Sequence, residues 1–255
     1  MSRTTIHFVI VFAVVYVGLC ATLFIFQRSL IYFPQPRNFG SDNTTMTLHV
    51  PEAELCLSVT ARRAPKALLY FGGNAEDVSF NLPTLSSAFP DHAIYLLHYR
   101  GYGGSSGKPS EHGLYSDAIA LFDKVHTKHP DITVVGRSLG SGVAVRLASV
   151  RPVSRLVLVT PFHSLQDLAV QQFPYFPVKW LLRDKFESWR YAPQVSAPTV
   201  IVVAAHDEVI PTESAKLLYS RFAKGVASYK VIDGVGHNSI SDSPAYLPAL
   251  KNSNK

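Results

Sequence analysis

The chain opens on a long apolar stretch and then changes rhythm. From Ile6 to Phe26 only His7, Gly18 and Thr22 interrupt about 21 apolar residues, enough for one membrane crossing. The sequence lacks the shorter apolar region and small-residue cleavage site of a secretory leader, so this stretch predicts an uncleaved anchor over residues 1–30. A linker over 31–45 follows, where Pro34 and Pro36 block a helix. Beyond it, short β-branched and apolar runs predict strands near 47–50, 55–60, 67–71, 94–98, 132–135, 156–159, 200–204 and 229–232. Amphipathic stretches predict helices near 78–88, 114–129, 139–150 and 212–222, with one more at the C-terminus. Strands alternating with helices imply a mostly parallel eight-stranded sheet covered on both faces, an α/β domain over 46–255.

One interval breaks the alternation. Residues 161–198 are too long for a simple connection and include Phe162, Phe173, Phe176 and Trp180. The interval leaves a strand end, so it reads as a small helical cap over a site, its aromatics forming an apolar pocket together with the loops carrying Gly73 and Tyr102.

The chemistry centres on Gly136-Arg137-Ser138-Leu139-Gly140. A G-x-S-x-G pentapeptide between a strand and a helix is a nucleophile elbow: a strained turn lifts the serine hydroxyl clear of the sheet, and bulk at either glycine would strike the helix backbone. A serine needs a base. His237, in the glycine-rich loop after the last strand, is placed to serve as one. Asp207, just beyond the 200–204 strand, is the acid that would orient it, and Glu208 is a rival at the same turn. As a helix cap, Thr212 is better placed than Asp207. An oxyanion hole would take the backbone N–H of Leu139 and, from the loop after the third strand, that of Asn74.

Composition narrows the function classes. Hydrophobic residues make up 47% of the chain, ample for a large core, and the net charge is +6. There is no nucleic-acid-reading motif, dinucleotide fingerprint or phosphate loop, and no metal-ligand spacing, so no cofactor, metal or nucleic-acid partner is expected. Cys20 and Cys56 are too few for a disulfide framework. Arg3 lies before the apolar stretch and Arg28 and Arg37 after it, a near balance that does not fix orientation.

The order Ser138…Asp207…His237 is that of the α/β-hydrolase fold. The chain resembles that superfamily over roughly residues 46–255. It is most similar to small-cap hydrolases with an N-terminal anchor, through Gln27-Arg28-Ser29-Leu30-Ile31-Tyr32-Phe33-Pro34, Gly73-Asn74-Ala75-Glu76, Tyr99-Arg100-Gly101-Tyr102-Gly103 and Thr160-Pro161-Phe162. Gly72 stands where that subgroup usually has histidine. The resemblance implies a serine hydrolase with Ser138, Asp207 and His237 as its triad. The resemblance does not choose a substrate; the aromatic cap points to an ester or thioester with an apolar acyl group, a small-molecule or lipid-like acyl substrate. A peptidase of the same fold and a non-catalytic membrane scaffold are the alternatives; the complete triad argues against the scaffold.

Overall fold

A computed structural model describes residues 2–41 and 44–251. All eight expected strands form: β1 (Thr45–Val50), β2 (Ala53–Thr60), β3 (Lys66–Phe71), β4 (His92–Leu97), β5 (Asp131–Arg137), β6 (Arg155–Val159), β7 (Thr199–Ala204) and β8 (Ala227–Ile232). They make one sheet in the order β1-β2-β4-β3-β5-β6-β7-β8. The β2 strand runs antiparallel to both its neighbours, and from β4 to β8 every pairing is parallel.

The period of two along each strand decides what covers the sheet. In β3, Ala67, Leu69 and Phe71 join the core on one face, while Leu68 and Tyr70 join the core on the other. The first core takes α3 (Glu111–His126), α4 (Leu139–Ala148) and α8 (Thr212–Tyr219). The second takes α2 (Leu82–Ala88) and α9 (Tyr246–Lys251). With both faces covered, the central strands are apolar throughout, as the sequence reads.

Some boundaries shift for local reasons. The Ser110 hydroxyl accepts the Gly113 N–H, so α3 begins three residues ahead of the expected start at 114. The stretch expected as a helix from 78 starts as a 3-10 turn over Val78–Asn81, capped by Asp77. Thr212 does not cap α8: it is the helix's first residue, behind Pro211, and its hydroxyl donates to Glu213.

The N-terminal helix α1 (Arg3–Ile31) has the largest deviation. It is long and apolar enough to cross a membrane, and most side chains of its apolar run lie exposed, with Tyr16, Cys20, Leu23 and Phe24 partly covered. It does not stop at the end of that run. Residues 27–31, expected as anchor end and linker, continue it to the extended Tyr32, two residues before Pro34. Between Pro161 and Pro198 lie three short helices: α5 (Leu165–Gln172), α6 (Val178–Leu181) and α7 (Ser188–Tyr191).

Candidate active site

Ser138 sits between β5 and α4 with φ 49° and ψ −117°, a strained backbone for a residue with a side chain. The flanking glycines make the turn possible. A Cβ on Gly140 would drive into the carbonyl of Phe71, and one on Gly136 would strike Gly140 and Ala144. The start of α4 is thus pressed onto the end of β3, and the first N–H groups of α4, including that of Leu139, have no partner within the helix.

His237 comes to this turn from the loop after β8. Its Nε2 lies 3.0 Å from Ser138 Oγ. Its Nδ1 lies 3.0 and 2.9 Å from the two oxygens of Asp207. A carboxylate only accepts, so Nδ1 carries the proton and Nε2 keeps the lone pair that faces the serine. The side chains of His237 and Asp207 are 7% and 3% exposed. Asp207 is held in turn by the N–H groups of Val209 and Ile210. Glu208 acts elsewhere, accepting the backbone N–H of His237 at 3.0 Å, and so fixes the loop rather than the ring.

The loop after β3 faces the serine from the other side. Gly73 lies against it, and a Cβ there would come 3.5 Å from Ser138 Cβ. Gly72 is tight for another reason. A Cβ at that position would collide with Val78, so the histidine usual in the resembling subgroup does not fit this backbone. The Tyr99 hydroxyl holds the Gly72 carbonyl. Glu76 folds back to accept the Gly73 N–H at 2.6 Å, which leaves Asn74 as the next N–H along the loop. The Asn74 side chain accepts the Tyr102 hydroxyl and the Phe33 N–H and donates to the Ile31 carbonyl at the end of α1. Burial pushes the Tyr102 phenol up to about 12, so it stays a donor.

Arg137, unremarked in the sequence, ties these loops together. Its guanidinium bonds Glu76 at 3.4 Å and the carbonyls of His237 and Asn238 at 3.3 and 3.4 Å. A charged residue inside the elbow pentapeptide, beside a buried strand, was the available signal.

Above Ser138 opens a cavity of about 660 Å³. Phe162, Phe173 and Phe176 line it, with Asn74 and Leu139 at its floor. Three of the residues expected in the pocket lie elsewhere. Trp180 points outward and is 87% exposed. Tyr102 stands behind Asn74, and Gly73 contributes backbone beside Ser138. Leu23, Gln27, Leu30 and Ile31 of α1 form a wall that the sequence reading missed. Their spacing of four, three and one is that of a single helix face, which crosses from the end of the apolar run into the polar Gln27-Arg28-Ser29 stretch and so shows in neither alone.

The comparisons with known proteins agree with this architecture. A family model described as the alpha/beta hydrolase fold matches residues 66–183. An uncharacterized protein of Mycobacterium tuberculosis is 31% identical over 260 residues, spanning 95% of this chain and 92% of that one. Among solved structures, an esterase of Pyrococcus furiosus is similar with a TM-score of 0.67 at 17% identity, over 84% of this chain and 94% of its own. A bacterial membrane phospholipase A is similar with a TM-score of 0.64 at 15% identity, over 99% of this chain and 100% of its own. At these identities the two structures speak for the fold.

Proposed function

Because this chain belongs to the α/β-hydrolase fold family, we propose that it is a membrane-anchored serine hydrolase. In this reading it cleaves carboxylic esters or thioesters with an apolar acyl chain. The observation that carries the proposal is the continuous hydrogen-bonded chain from Ser138 through His237 to Asp207 at the floor of an apolar cavity.

The chemistry follows from that chain. Ser138 Oγ attacks the carbonyl carbon while His237 Nε2 takes its proton, and Asp207 stabilises the imidazolium. The carbonyl oxygen, now negative, is held by the N–H groups of Leu139 and Asn74. Each such donor is worth on the order of 10²–10³ in kcat. His237 then returns the proton to the leaving alcohol or thiol as the carbon–oxygen or carbon–sulfur bond breaks. Water, deprotonated by the same ring, releases the acid and regenerates Ser138. The apolar walls favour an acyl chain over a peptide, whose amides would lose water without finding partners there.

Two features support an anchor that stays attached. The helix α1 has the length and composition of a membrane span. Its last turns also bond the body: Gln27 donates to the Leu181 carbonyl, and Arg28 pairs with the buried Asp184. Cleavage ahead of Gln27 would detach that turn from the span that holds it in register.

The test is labelling with a fluorophosphonate probe and turnover of p-nitrophenyl esters by the full chain and by Ser138→Ala. The parent should label and turn over, and Ser138→Ala should do neither while remaining folded. Undiminished turnover in folded Ser138→Ala would refute the mechanism.

A further inference from the structure

An anchor needs only to be long and apolar, and α1 is more than that. Its residues Leu23, Gln27, Leu30 and Ile31 share one face, and that face is a wall of the cavity over Ser138. The helix is also joined to the two parts of the protein that would matter most to catalysis. On the cap side, Gln27 donates to the Leu181 carbonyl at 3.1 Å and accepts the Arg183 N–H at 2.7 Å. Arg28 binds Asp184 through both carboxylate oxygens, at 2.9 and 3.3 Å, and the Tyr32 hydroxyl adds a bond at 3.1 Å. On the other side, Asn74 grips the Ile31 carbonyl and the Phe33 N–H, and Asn74 is the residue assigned to the oxyanion hole.

The depth of the cap along α1 sets where the cavity opens. The Tyr16 hydroxyl donates to the Tyr175 carbonyl at 2.8 Å, and the Tyr16 ring stacks on Phe176 at 5.9 Å. Tyr16 lies midway along the apolar run. A helix of this length spans about 44 Å, and roughly 20 of its residues are needed to cross the hydrocarbon. A span centred on that run therefore carries Phe173–Phe176 into the bilayer with it. Trp180 stands outward beside Leu181, level with Gln27 just past the end of the apolar run, and is 87% exposed, as an amphipathic aromatic is at a membrane interface. Arg183 lies over the Phe24 ring at 4.0 Å, placing a cation where headgroups would be. Phe173 and Phe176 belong both to this exposed segment and to the cavity lining, so the cavity's apolar wall continues into the surface that meets lipid.

We propose that α1 is a wall of the active site as well as its anchor. The substrate is then an acyl ester of a bilayer lipid, and its chain slides sideways from the hydrocarbon along the Leu23–Ile31 face, between α1 and the cap. This rests on the reading of Ser138 as the nucleophile. It adds that the chain never crosses water, so the desolvation that a soluble esterase obtains on binding is already complete. Glu208, Val209 and Pro211 also line the cavity, away from the α1 residues in sequence, and give the leaving headgroup a polar contact at Glu208.

The test uses the full chain in vesicles of dioleoylphosphatidylcholine. It compares kcat/KM for the vesicle lipid with that for p-nitrophenyl acetate. Leu30→Trp fills the cavity wall, Leu23→Phe does so more conservatively, and Leu19→Trp, on the same helix but outside the cavity, is the control. The lipid-to-acetate ratio should fall roughly tenfold or more in Leu30→Trp, less in Leu23→Phe, and stay at the parent value in Leu19→Trp. An unchanged ratio in both wall variants, with fluorophosphonate labelling intact, overturns the proposal. So does an equal fall in Leu19→Trp, which would mean that any bulk on α1 disturbs insertion. A parent chain that neither labels nor cleaves the acetate removes the nucleophile reading itself, a result distinct from either.

Discussion

Glutamine at position 76 would remove one charge and keep the outline of the side chain. The Glu76 carboxylate is 12% exposed and gathers four donors. One oxygen takes the Gly73 N–H at 2.6 Å and Arg137 at 3.4 Å. The other takes the Tyr70 hydroxyl and the Asn81 amide, each at 2.7 Å. Glutamine has one acceptor oxygen, so its NH₂ must point at donors on one side or the other. Hydrogen bonds to a charged group are worth about 1.5–3 kcal/mol each, and a buried cation left facing a neutral amide adds to the loss. Arg137 is at the long end of bonding distance, so most of the cost lies in the short bonds. A destabilisation of about 2–4 kcal/mol follows, or roughly 5–15 °C in Tm for a chain of this size. The displaced Gly73 N–H also loosens the loop that carries Asn74. A fall in kcat of roughly 10–100-fold is expected, short of the 10²–10³ for deleting an oxyanion donor outright. Thermal unfolding followed by near-UV circular dichroism in detergent, together with kcat on p-nitrophenyl acetate, reads both effects. Arg137→Met should couple to Glu76→Gln, the double variant losing less than the sum of the two. If Glu76→Gln melts within about 2 °C of the parent and keeps kcat within about twofold, the carboxylate does not organise this loop.

Asp207→Asn should lower kcat by about 10⁴ through the wrong imidazole tautomer, while Glu208→Gln, touching only the His237 N–H, should cost far less; the reverse ranking would exchange their roles. Phe173→Ala and Phe176→Ala should shift the preferred acyl length in a p-nitrophenyl ester series, by about 1–3 kcal/mol for each methylene's worth of lost wall, and Trp180→Ala should leave that optimum in place. Burial pushes the His98 imidazole down to about 4, against an ordinary value of about 6.5. The unfolded chain binds this proton first as pH falls, so the stability is complete above about pH 6.5 and is lost towards pH 4, about 3 kcal/mol in all. Urea midpoints from pH 8 to 4.5 should decline less steeply in His98→Gln, and parallel curves would exclude His98 as the source.

Much of this was legible in the sequence. Strands written as short apolar runs between polar turns had one arrangement available once both faces had to be covered, and all eight formed. The elbow was equally plain, because Gly136 and Gly140 flank the serine at a fixed spacing between a strand and a helix, a pattern readable without knowing that Phe71 lies against Gly140. What escaped was long-range. Gln27 and Arg28 look like the polar end of a span, and nothing local reveals that Leu181, Arg183 and Asp184 wait for them more than 150 residues away. Trp180 shared the aromatic density of its neighbours but not their direction, since one residue's turn of a short helix separates inside from outside. Glu208 and Asp207 are adjacent acids, and only the path of the His237 loop distributes ring and backbone between them.

The contact of Gly140 with the Phe71 carbonyl has a consequence for how such a molecule can diversify. It welds the start of α4, which follows Ser138, to the end of β3 and the loop that carries Asn74, so neither can be adjusted without the other, and no side chain can be added at the joint. The turn that carries Ser138 therefore depends on both glycines at once. Leu23 and Leu30 on α1 and Phe173 and Phe176 on the cap sit under no such constraint. Descendants of this chain are free to trade those side chains, and with them the shape of the cavity, over an elbow whose two glycines are fixed by contact.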